Sequence, residues 1–163
     1  MRPSRAQAFT QGVVCGLIGY ATVAILMALL NVFGGRSPFF TAAAFGSALF
    51  YGLKDLGDLR IWVGPVLAYN GFHLFVFLVL GIVSTFVTLA LEQRPVFFYL
   101  ALYLFLIVGF LVFGGFLVFT QSIRGAISPA ALLGVSLAAS AAMAAYLLAT
   151  HRGLRQDLHD LDA

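Results

Sequence analysis

Long apolar runs alternate with short polar breaks along the whole chain. Four runs stand out, at 9–33, 61–91, 96–120 and 129–150. Each reaches the roughly 20 residues that a helix needs to cross a hydrocarbon core. The breaks carry helix punctuation. "NVFGGRSP" closes the first run, and "EQRP" places Pro95 where the third helix would start. "QSIRGAISP" does the same with Pro129 for the fourth, and "THRG" ends it. Between the first two runs lies a shorter apolar stretch, "SPFFTAAAFGSALFYGL" at 37–53, which opens on a Ser-Pro helix start. It reads as a short helix lying in the membrane interface or dipping into it. The alternative is a full span, which would put the two termini on opposite sides. The polar stretch 54–60 then leads into Trp62, an interface anchor beside Tyr51. The pattern predicts an all-α integral membrane protein with four transmembrane helices and a short interfacial or re-entrant helix between the first two. Residues 1–163 form one membrane domain with a polar tail at 151–163.

The faces of the four helices differ. The second carries a polar seam. Asn70, His73, Phe77, Gly81, Ser84 and Thr88 recur at intervals of three and four residues, and at about 100° per residue they share an arc of about 80°. The seam points His73 inward. With Trp62 at the interface, His73 lies about 16 Å deeper, near the middle of a core about 30 Å thick. The fourth helix is smooth, with Gly134, Ala138, Ala142 and Ala145 at helical spacing. The first offers Gly12 and Gly16, with Gly19 one turn on. Such stripes let helix backbones approach closely, so helices one and four are expected to pack within the chain, or one stripe to dock another protein. The third helix is aromatic, with Phe110, Phe113, Phe116 and Phe119 every three residues. It suits a bulky lipid-facing or core surface, or a wall for a carotenoid, a quinone tail, a chlorin or a neighbouring subunit.

Composition makes the solvent a bilayer. The 163 residues are 62% hydrophobic and 9% charged, where soluble domains carry about 25% charged residues. Mean hydropathy is +1.03. The net charge of +3 is spread over tails and loops, which excludes a nucleic-acid patch and leaves topology signals. The nine basic residues divide almost evenly between the two sides. Arg2 and Arg5 flank the first helix and favour both termini in the cytoplasm, in a bacterial inner membrane. The first apolar run is too long for the h-region of a cleaved signal, so it reads as an uncleaved span. The single cysteine, Cys15, allows neither an internal disulfide nor thiol-redox chemistry, and reads as a small buried hydrophobe.

An imidazole at mid-membrane needs a partner, which makes His73 the candidate functional residue. Four roles compete: a hydrogen bond within the bundle, to Tyr20 or a backbone carbonyl; glue to a partner subunit; a single ligand to a haem or chlorophyll metal; or a proton relay. A bis-histidine haem would need a second intramembrane histidine, and His151 and His159 both lie in the tail. A relay wants a carboxylate that the spans lack. No nucleophile, base and orienting group fall together, and the histidines and cysteine are too scattered for a metal cluster. The sequence therefore favours a non-catalytic accessory subunit of a larger membrane complex, with an electron-transfer assembly, respiratory or photosynthetic, as the expected setting. The alternatives are a single-ligand haem- or chlorophyll-binding protein through His73, and a small transporter or channel component built on Asn70, His73, Ser84 and Thr88. Carotenoid, quinone or bound lipid are further possible occupants. The expected partners are the lipid bilayer and other membrane subunits.

Overall fold

The computed structural model describes residues 5–91, 123 and 125–150. Within them run α1 (Arg5–Phe33), α2 (Phe40–Phe50), a 3-10 turn (Leu56–Asp58), α3 (Val63–Leu91) and α4 (Pro129–Thr150). All the regular structure described is helical. α1, α3 and α4 have 29, 29 and 22 residues and are long and apolar enough to cross a membrane. α2 has 11 residues, a rise of about 16 Å, which is half a hydrocarbon core. The 37–53 segment is thus a short apolar helix with irregular flanks. α1 begins four residues before the expected start, because the polar lead-in is itself helical. The aromatic third span at 96–120 and the tail at 151–163 lie outside the described residues.

The helix ends follow from local chemistry. α1 stops at Gly34-Gly35. Gly35 takes φ of 68°, the left-handed region that a side chain disfavours. The Gly35 amide then donates to the Val32 carbonyl at 3.0 Å, and the Arg36 amide to Asn31 at 2.8 Å. This paired closure satisfies two of the last carbonyls of the helix. α4 begins at Pro129 as its sequence predicts, with the Ser128 hydroxyl accepting from the Ala131 amide at 3.1 Å. The turn after α2 is similar, with Asp55 accepting from the Gly57 amide at 2.8 Å.

α1 is the central element. It runs antiparallel to α3, since Gly12 meets Ile82 while Tyr20 meets Asn70. It also runs antiparallel to α4: Gly19 meets Met143, and Met27 shares a cavity with Ala131. α3 therefore ends at the opposite face of the bundle from the start of α4. The end of α1 and the starts of α3 and α4 meet at one face, called here the loop end. There α2 is wedged against α1 and α3. Gly46 lies so close to the Pro65 carbonyl that a Cβ would collide with it. The hydrophobic cluster of buried residues sits in this cap, where Ala44 and Phe45 of α2 pack with Ile123 and Ala126. Tyr51 and Trp62 are both exposed and meet edge-on at 5.3 Å between centroids, as an interface pair should.

Candidate functional site

The α1–α3 seam changes character along its length. In its first half it is closed by glycines. Gly12, Gly16 and Gly81 are all buried. A Cβ on Gly12 would stand 2.6 Å from the Ile82 Cα, and one on Gly16 would strike the Phe77 carbonyl. One on Gly81 would strike the backbone of Gly12 and Gly16. Two backbones meet here with no side chain between them, which is the close approach that small residues permit in lipid. Thr85, fully buried, turns its hydroxyl back to the Gly81 carbonyl at 3.0 Å. Cys15 is also fully buried, with its Sγ 3.9 Å from the Met143 carbonyl of α4, as a small packed thiol.

Past Gly19 the seam opens and becomes polar and aromatic. The Tyr20 hydroxyl donates to Asn70 Oδ1 at 3.0 Å, and Asn70 Nδ2 donates to the Val66 carbonyl at 2.8 Å. An interhelical bond of this kind contributes roughly 0.6 to 2 kcal/mol. Tyr20 thus pairs with Asn70 instead of His73, correcting the expected partnership. His73 sits among rings: Tyr69 stacks on it at 5.1 Å and 25°, Phe77 meets it edge-on at 4.9 Å, and Tyr20 edge-on at 5.8 Å. Among the described residues it has these ring contacts and no hydrogen bond. Burying a polar group with no hydrogen bond costs about 2–7 kcal/mol in an apolar medium. The ring is half-buried and borders a cavity.

This cavity, about 120 Å³, lies between α1, α2 and α3 and is lined by Ala24, Met27, Thr41, Ala42, Asn70 and His73 among others. A second, of about 230 Å³, lies nearer the loop end beside Asn31, Arg36 and Ser128. Met27 and Thr41 line both. A polar latch ties α2 over them. Thr41 donates to Asn31 Oδ1 at 3.0 Å, and Asn31 Nδ2 donates to the Pro38 carbonyl at 3.2 Å. Arg36 lies over the Phe40 ring at 4.7 Å and donates to the Ala126 carbonyl at 2.7 Å. The space beside His73 is small against the roughly 300–1,000 Å³ of a drug-sized ligand pocket. Aromatic rings pack on the face and edge of the imidazole.

The structure brings Asn70, His73, Phe77 and Gly81 onto the α1-facing side of α3, as their spacing implies. Thr88 is buried and Ser84 half-buried, one turn or more beyond the glycine crossing, so the seam is interrupted and not a continuous polar path. Helices α1 and α4 pack within the chain as expected, while part of the glycine stripe of α1 faces α3 instead. Gly12 and Gly16 meet α3, and Gly19 and Cys15 meet Met143 of α4. α4 turns Val135, Ala139 and Leu147 inward, while Gly134 is exposed and Ala138 and Ala142 are half-buried. Tyr69, Thr85 and the Asn31–Thr41 pair are structural participants that the sequence reading passed over. Tyr69 is one aromatic among many, and Thr85 lies one position off the counted seam. The signal for the pair was a lone polar residue near each end of the α1–α2 connection. Among the described residues, no group of three or more His, Cys, Asp or Glu could hold a metal. Comparison with family models, with curated proteins and with solved structures returned no match.

Proposed function

We propose that this chain is a non-catalytic accessory subunit that docks in the membrane against a larger partner. The observation that carries the reading is the outward face of α4. Gly134, Ala141 and Ala145 are exposed there, with half-buried Ala138 between them, at intervals of four, three and four residues. Lipid tails offer no reason to keep a face smooth, whereas a second helix does, because small residues allow backbones to approach. The partner is a transmembrane helix with its own small-residue notch. The aromatic span that suggested a respiratory or photosynthetic setting lies outside the described residues and adds nothing to this reading.

Purification in mild detergent tests it. The chain should co-migrate with larger membrane subunits. Gly134→Leu should release them while leaving the chain folded, since Leu is the better helix former by about 0.8–1 kcal/mol and its site is open. A chain that is a stable lone monomer in every mild detergent would sink the proposal.

A further inference from the structure

The two cavities at the loop end go beyond this docking role. They share Met27 and Thr41 in their linings, and polar groups border both: Arg36, Ser128 and Asn31 the one, Asn70 and His73 the other. We propose that they form one aqueous vestibule, entered from the loop end beside Arg36 and closed at His73, so that water and small hydrophilic solutes reach this imidazole from one face of the membrane only. Three observations support it. Volume comes first: a water needs about 10–15 Å³ of cavity of this measure and two to four polar partners, so a 120 Å³ chamber bordered by Thr41, Asn70 and His73 has room for several. A cavity lined only by apolar groups would stay dry; this one is mostly apolar but carries Thr41, Asn70 and His73 in its wall. Second, among the described residues His73 finds rings but no hydrogen bond, and its side chain borders the chamber. Third, the path ends. Beyond Phe77 the backbones of Gly16 and Gly81 touch and leave no passage between α1 and α3. Met27, an unbranched and adaptable side chain, stands at the junction where a change of rotamer would widen or narrow the way.

Labelling with an anionic, membrane-impermeant methanethiosulfonate reads this wetting in the isolated chain, whatever the role of α4. Ala24→Cys and Ala42→Cys place thiols in the inner chamber, on a Cys15→Ala background. Ile25→Cys, on the exposed side of α1, is the control at equal depth. The thiolate is the reactive species and forms in water but not in hydrocarbon, so both chamber thiols should react at least about tenfold faster than the control. They should do so only when the reagent is on the loop-end face. Reaction no faster than the control, or equally fast from both faces, overturns the vestibule. A second measurement avoids substitutions in the bundle. In a His151→Gln, His159→Gln chain, His73 is the remaining histidine, and in bilayers its ¹⁵N signal should gain polarisation directly from water. No such transfer overturns the proposal too.

Discussion

The same two helices, α1 and α3, build two unlike interfaces within a few turns of each other. From Gly12 to Gly16 they touch backbone to backbone around Gly81. From Tyr20 to Met27 they part, and aromatic rings, a tyrosine–asparagine bond, a cavity and the wedge of α2 occupy the space. Both halves answer one constraint, that lipid gives apolar side chains no reason to prefer one another. The closed half answers with close van der Waals contact, and its buried Thr85 hydroxyl is satisfied within its own helix by the Gly81 carbonyl. The open half answers with directional bonds, and it pays in packing density. The side-chain bonds between helices α1 and α3 lie in the open half.

Substitutions in the two halves should separate accordingly. The largest effect belongs to the closed half. Gly81→Leu drives a side chain into the α1 backbone and should cost at least about 3 kcal/mol, above the usual range for overpacking because backbone cannot rotate away. Unfolding titration in detergent measures it, and a near-neutral result would mean the helices are not in contact there. Next comes the α2 latch. Asn31→Leu leaves Thr41 without its acceptor and should cost about 1–3 kcal/mol. Hydrogen exchange should rise over 38–50 with the Gly12–Gly81 crossing still protected. Tyr20→Phe removes only the hydroxyl bonded to Asn70, a loss of roughly 0.6 to 2 kcal/mol. His73→Phe keeps the ring and its aromatic neighbours, and should change stability by less than about 1.5 kcal/mol. A loss of several kcal/mol there would show that the imidazole nitrogens hold the bundle together.

The helices were legible because their boundaries are written locally. Apolar runs set the spans, Pro129 sets one start, and Gly34-Gly35 sets one stop. The short segment at 37–53 was ambiguous because its composition alone fits a span, and only the flanks shorten it to 11 residues. Its latch, Asn31 to Thr41, crosses ten residues between two helices and has no periodic signature. The inward position of His73 was readable from spacing on α3, but its neighbours were not. Periodicity says which residues share a face and nothing about which helix that face meets. Thus the glycines of α1 were recognised as a packing stripe while their partner, Gly81, was counted only as part of a polar seam.

Water-edited solid-state NMR on the uniformly labelled chain in lipid bilayers reads the contrast between the two halves in one experiment. Signals of Thr41, Asn70 and His73 should build up from water well before those of Gly12, Gly16 and Gly81. Equal build-up in the two groups, or slower transfer to His73 than to the glycines, would contradict a seam that is dry at one end and wet at the other.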